Sequence, residues 1–368
     1  MDFDFLDEQV ELRHAVARWL QGEYGAERRR RTMAGGGWDP QAWRSFADLG
    51  LTGLPIAEEQ GGMGMGAIEA MIVMEEFGRH AVLEPLGLAW LGSQLIQRFA
   101  PAHLAGAWLP RMAAGEAWVA LAHQERGSRY AVDRCTARAV RDGEGRLLIT
   151  GQKDLVPSGD QAQALIVPAM LDGVRALFLV PLPQDGVTLE SYRTLDGRRA
   201  ATATLRNAQG ECLSTDGDGA LEWGIGLGIA HLCAEAVGLM EHTMALTIEH
   251  LNMRQQFGRP LADFQVLRHR VADMKMEIEL SRSMSYCASL QLQADAPARR
   301  VALSQAKYQL SQSMKRVGQQ AVQLHGAIGL TDEYELSDYY KRLNQLEYTF
   351  GDGAHHLAIL SEAQFADA

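Results

Sequence analysis

The feature that most restricts this fold is a double change of period along one chain. Up to about residue 114, apolar residues recur every three or four positions. From about Trp118 they alternate with polar ones, and from Gly219 the helical spacing returns and persists. At 368 residues the chain exceeds what a single core usually serves. The spacing therefore predicts an α+β protein: a helical N-terminal domain over 1–117, a middle β domain over 118–215, and a C-terminal helical bundle over 216–368. In the first part, Asp7 and Glu8 suit a first helical turn, with Leu12, Val16, Trp19 and Leu20 as the apolar face. The basic run 28–31 reads as a solvated helix end. Gly35-Gly36-Gly37 marks a loop, Asp39-Pro40 a helix start, and further helices are expected over 67–79, 88–99 and 104–114. In the middle part, Cys135, Ala137 and Ala139 alternate, Asp142-Gly143 turns a hairpin, and 147–150, 165–167, 177–180 and 203–205 read as strands. No helices interrupt them, so an antiparallel, barrel-like sheet is expected and a parallel nucleotide-binding sheet is not.

Residues 254–274 form a joint between two helical patterns. Met240, Met244, Ile248 and Leu251 precede it; Leu261, Phe264, Leu267, Val271 and Met274 follow. Gly258 and Pro260 stop the first helix, presenting Arg254 and Phe257 at a helix end where a phosphate-bearing ligand with a flat base can lie. An ordinary helix hairpin with a solvated arginine has the same pattern. The net charge of −11 argues against nucleic acid as a partner, so an anionic ligand needs local cations. Cys135, Cys212, Cys233 and Cys287 lie far apart without metal-ligand spacing, so neither a disulfide framework nor a metal site is expected. The acidic N-terminus lacks the features of a signal or transit peptide, and no apolar run long enough to span a bilayer stands out. A cytoplasmic location is the expectation.

Arg254-x-Gln256-Phe257-Gly258, then Phe264-Gln265 and Ala272-Asp273-Met274, resembles the signature joint of the acyl-CoA dehydrogenase family. Glu59-Gln60-Gly61-Gly62-Met63-Gly64 is similar to the family's early Gly-rich turn, and Gln323-Leu324-His325-Gly326-Ala327-Ile328-Gly329 to its Gln-x-x-Gly-Gly-x-Gly motif, with Ala327 in place of a glycine. The resemblance covers essentially the whole chain. It implies FAD shared across a subunit interface, with Arg254, Gln256, Phe257, Gln323 and Gly326 at its ADP portion and Phe264 and Gln265 also binding the cofactor. It also implies an acyl-CoA substrate and an electron-transfer flavoprotein as acceptor. In the middle domain, Gln124-Glu125-Arg126-Gly127-Ser128-Arg129-Tyr130 departs from the family's flavin-contacting loop. Gly151-Gln152-Lys153 matches a family strand, but Leu155 stands where an aromatic often covers the flavin and Pro157 where a hydroxyl meets it; Ser158 is the substitute.

Desaturation of an acyl thioester needs a base for the α-proton and a flavin for the β-hydrogen. The family's base is a glutamate at one of two places. On this chain the resemblance puts Gly351 at the first and Gly228 at the second, so both are empty. Asp352 is the nearest carboxylate, and a capping role competes for it; Glu347 and His355 come after it. The stretch Lys341-Arg342-Leu343-x-x-Leu346-x-x-Thr349-Phe350-Gly351-Asp352 resembles small subunits of bacterial heteromeric acyl-CoA dehydrogenases, such as that of pimeloyl-CoA dehydrogenase. There a second family subunit supplies the base. Three readings stand: a base-less subunit of a heteromeric enzyme, a self-sufficient dehydrogenase using Asp352, and a flavin-binding protein without desaturase activity.

Overall fold

The computed structural model describes residues 4–366. Six helices come first: α1 (Asp7–Glu23), α2 (Ala26–Ala34), α3 (Pro40–Asp48), α4 (Ala67–Arg79), α5 (Leu86–Phe99) and α6 (Ala102–Ala113). Seven strands follow: β1 (Val119–Leu121), β2 (Arg138–Arg141), β3 (Leu147–Pro157), β4 (Ala164–Leu171), β5 (Val174–Pro181), β6 (Val187–Arg193) and β7 (Arg199–Ser214). Then come α7 (Gly217–Met253), a ribbon of β8 (Gln255–Gln256) and β9 (Arg259–Pro260), and α8 (Gln265–Leu290), α9 (Ala296–His325), α10 (Leu336–Tyr348) and α11 (Gly353–Ala366). Helices, strands, helices is the expected α+β order. The chain forms two compact units. One comprises Thr32–Gly66 and Leu83–Gly228; the other gathers the N-terminal residues to Arg31, Ala67–Val82 and everything from Ile229.

In the strand-bearing unit, local chemistry sets where the helices start. Asp39 caps α3, its carboxylate accepting from Gln41 N (2.9 Å) and Ala42 N (3.3 Å), with Pro40 in the first turn. Pro85 and Pro101 sit at the caps of α5 and α6 and start each two residues earlier than the apolar spacing implies. The strands close on themselves: β4 pairs β2, β2 pairs β3, β3 pairs β7, β7 pairs β5 and β5 pairs β4. This ring is the barrel-like sheet expected, antiparallel at every seam of the ring but one. An odd number of strands cannot alternate direction all the way round, and the mismatch falls at β2–β4, parallel at Arg138 and Met170. Outside the ring, β1 adds to β4, also in parallel, and β6 pairs with β7. Strand β6 lies where the sequence shows only turns, because its side chains are mostly exposed and carry no apolar alternation. All four cysteines are free.

In the helical unit, α8 and α9 pack as a pair, and Met274 and Ile278 of α8 are buried, as are Leu303, Leu310, Met314 and Val317 of α9. Helices α4 and α7 cross at backbone contact. A Cβ on Gly78 would strike the carbonyl oxygen of Glu235, and one on Gly238 would strike that of Glu75. Beside the crossing, buried Glu75 and Glu76 meet Arg13, Arg79 and Arg282, and Glu241 pairs with Arg79 and Arg282. Two expectations need correction. Arg29, read as part of a solvated run, is 2% exposed; it pairs with Glu335 and Asp338 at 3.3 Å each and lies over the Tyr339 ring. Helix α7 does contain a stretch long and apolar enough to cross a bilayer, but 94% of that window is buried inside the protein, so its composition serves a core.

Candidate functional site

The joint expected after α7 is a tight reversal. Arg254 N donates to His250 O (2.9 Å), its own carbonyl accepts from Leu261 N (2.8 Å), and Gln256 pairs with Arg259 across the ribbon. The tip is Phe257-Gly258, with φ of +55° and +77°. Glycine takes such a value freely, whereas phenylalanine is strained there. The strained ring is also 90% exposed, an expensive place for an aromatic unless something covers it. It meets Phe264 edge-on at 6.1 Å, and the Arg259 guanidinium lies 4.1 Å over the Phe264 ring. Arg254, Gln256 and Gln265 are exposed around it.

The second motif is brought to the same place. Helix α9 ends at His325, and Gly326 follows with φ +68° and open space where a Cβ would stand. The His325 ring stacks on His250 at 4.4 Å, so the end of α9 abuts the last turn of α7. Burial lowers the pKa of both imidazoles, and for His250 the charges of His325 and Arg254 add to it. Both rings are thus neutral near pH 7, and Arg254 contributes the positive charge at this junction. Gln323 and Gly326 are exposed beside it. The sequence did not flag the histidine pair; its only trace was a histidine four residues before Arg254 and another inside the 323–329 motif.

Gly351 and Asp352 lie in the turn from α10 to α11. Phe350 and Gly351 take φ of +58° and +110°. Lys307, fully buried on α9, donates to Glu347 O (2.8 Å) and Gly351 O (2.7 Å). Burial pushes this lysine down to about 8 against the opposing charges of Cys233, Glu347 and Asp352. Asp352 Oδ1 accepts from His355 N (2.9 Å), and the Asp352 carbonyl from His356 N (3.1 Å), which makes it the cap of α11. Glu347 is buried, bound to Lys315 Nζ at 2.8 Å. Gly228 is buried within α7, in the strand-bearing unit with Ser158.

In that unit, Ser158 is 5% exposed with φ +48°, and its N–H donates to Arg199 O (2.8 Å). A bulge in β3 between Lys153 and Val156 turns Leu155 outward at φ +50°, with its N–H on the Tyr192 hydroxyl (3.1 Å). Below it, Lys153 Nζ lies 2.6 Å from Glu125 Oε1, and both are buried. Thr136 N and Oγ1 donate to the other carboxylate oxygen at 2.6 Å each. This pair anchors the 124–130 loop to the barrel, and the sequence offered only a lysine within a strand to hint at it.

Two family models cover most of the chain: the acyl-CoA dehydrogenase N-terminal domain at residues 6–116 and the C-terminal domain at 216–365. The chain belongs to the acyl-CoA dehydrogenase family. It is similar to the probable acyl-CoA dehydrogenase YngJ of Bacillus subtilis, 26% identical with 98% of both chains covered. Among solved structures, it matches the Tcur3481-Tcur3483 steroid ACAD G363A variant at TM-score 0.91 and 27% identity, covering 98% of this chain and 99% of that one. The ChsE4-ChsE5 complex from Mycobacterium tuberculosis shares the fold at TM-score 0.91 and 23% identity over the full length of both chains.

FAD-dependent dehydrogenation is general for acyl-CoA dehydrogenases. The geometry at the joint suits such a dinucleotide: an exposed guanidinium, an exposed ring held out by a strained backbone, and a glycine at a helix end with room for close backbone approach. At the α10–α11 turn, the Asp352 carboxylate is buried and occupied as a cap.

Proposed function

We propose that the chain is the subunit lacking the catalytic glutamate in a heteromeric, FAD-dependent acyl-CoA dehydrogenase that desaturates an acyl-CoA thioester between Cα and Cβ. The observation that carries this reading is Gly351. It sits at φ +110° with two histidine rings against it, so the place of the family base holds no carboxylate and has no room for one. Asp352 is the runner-up as base. Its engagement as a cap argues against it, because a base must be free to swing toward an α-proton.

FAD, when bound, accepts the β-hydrogen as hydride. Arg254 holds the diphosphate and Phe257 covers the adenine, with Gln256, Phe264, Gln265, Gln323 and Gly326 completing the ADP site and Ser158 meeting the flavin from the middle domain. Both Phe257 and Arg254 point outward, which suits a cofactor shared with a neighbouring subunit. The α-proton is taken by a base on that second family member. The domain division at 117/118 and 215/216, a cytoplasmic location and an electron-transfer flavoprotein as acceptor belong to this reading. Similarity to a steroid ACAD supports a bulky acyl group.

The test is to purify the chain alone and with a glutamate-bearing family member, load FAD, and follow anaerobic flavin bleaching by acyl-CoA. The pair should reduce ~10²–10⁴-fold faster than the chain alone, the usual worth of a general base. Arg254→Ala should weaken FAD binding by about one to two decades, from about 1.5–3 kcal/mol per charge-assisted contact. Ordinary turnover by the isolated chain, abolished by Asp352→Asn, would install Asp352 as the base instead.

A further inference from the structure

A side chain lost from a buried turn leaves a cavity unless its neighbours fill it. At the α10–α11 turn the space is filled. A Cβ built on Gly351 would lie 2.6 Å from His355 Cδ2 and 2.6 Å from His356 Nε2, closer than real Cβ atoms come to anything. The two rings meet edge-to-face at 5.1 Å. They differ in burial. His355 is half-buried, whereas His356 is 2% exposed and bonded at both nitrogens. Its Nε2–H donates to Phe350 O (3.0 Å) and its Nδ1 accepts from Ser304 Oγ (3.2 Å). Phe350 O belongs to the peptide that leads into Gly351, so the ring both fills the space and holds the strained turn that keeps it small. Lys307 holds the next carbonyl, that of Gly351.

We propose that His356 is a plug: a positioning residue that occupies the volume a side chain at 351 requires and locks the turn that carries it. The chain is thereby fixed as the half without a base, and a carboxylate cannot be restored at 351 by substitution there alone. Burial and the nearby Lys307 charge hold the His356 pKa down to about 3, so the plug remains an uncharged ring that does not itself exchange protons near neutrality. The inference rests on the proposed function for its meaning, and on geometry alone for its truth.

A double-mutant cycle on the full-length, FAD-loaded chain tests it. Gly351→Ala, His356→Ala and the double variant are compared by urea unfolding. The backbone strain of alanine at φ +110° is common to both arms and cancels, leaving the steric term. The loss caused by Gly351→Ala should be smaller by about tenfold in the unfolding equilibrium constant when His356 is already alanine. The same cycle with His355→Ala should show weaker coupling, because that ring is only half-buried. His356→Asn serves where the alanine variant fails to fold. Additive losses would overturn the plug. A second arm adds Gly351→Glu with and without His356→Ala, read by acyl-CoA bleaching of the flavin. Faster bleaching only in the double variant supports both inferences. Coupling in stability with no bleaching in either variant leaves the plug standing and removes position 351 as the place of the family base.

Discussion

Lys153→Met offers the sharpest test of how the middle domain is held together. Glu125 is 7% exposed and Lys153 fully buried, 2.6 Å apart. Burial alone would raise the Glu125 pKa. Hydrogen bonds from Lys153 and Thr136, with the lysine charge, overcome this and hold it down to about 2 from an ordinary 4.5. At about 1.4 kcal/mol per tenfold, that difference is about 3 kcal/mol of stability at neutral pH. Because the folded-state pKa lies below the unfolded one, this contribution is complete above pH 4.5 and is lost as pH falls toward about 2. Methionine removes the cation but leaves the carboxylate buried on Thr136 and Ala137, and breaking such a pair costs about 3–5 kcal/mol. The expected loss is about 3 kcal/mol at pH 7, read by urea unfolding followed by circular dichroism. The gap between wild type and variant should narrow below pH 4.5 as Glu125 takes up its proton. Adding Glu125→Gln to Lys153→Met should recover most of the loss, since two neutral groups need no ion pair. A loss under about 1 kcal/mol, or a gap that ignores pH, would refute the account.

Two further predictions concern the joint and the α10–α11 turn. Phe257→Gly should leave urea stability unchanged or raise it by up to about 1 kcal/mol by releasing strain at φ +55°, yet weaken FAD retention on gel filtration; a stability loss would mean the ring packs within its own chain. Asp352→Asn keeps an equally good cap, so stability should change by under about 0.5 kcal/mol and flavin reduction by the assembled enzyme not at all, whereas Asp352→Ala should cost about 1 kcal/mol.

What could be read in advance was what is local. Helix α4 is bounded in the sequence because its apolar positions repeat and Gly64 and Gly66 stand just before it. The Arg254 joint was visible because Gly258 and Pro260 punctuate it. What could not be read depends on partners far along the chain. Arg29 looks like any member of a basic run until Glu335 and Asp338 arrive from α10. The parallel seam at β2–β4 follows from counting strands in a closed ring, and β6 was invisible without its apolar alternation. At the turn after α10, Gly351 and Asp352 are legible as letters. That the rings of His355 and His356 stand where a side chain at 351 would lie is not, because neighbours in sequence do not announce which way a strained turn folds their rings.

The glycine crossing of α4 and α7 has a consequence for inheritance. Gly78 and Gly238 pin α7 at one point along its axis and at one rotation about it. From Gly238 to Arg254 the helix then runs about 24 Å, at about 1.5 Å per residue. Over that length α7 behaves as a shaft whose phase is set at one end and read at the other. Substitutions on its outer side leave the phase alone. One inserted or deleted residue turns the Arg254 end by about 100° and carries the arginine, with Phe257, round to another face. Length in this segment should therefore be held far more strictly than sequence, and a change of about seven residues, close to two full turns, is the shortest that brings the joint back near its starting direction.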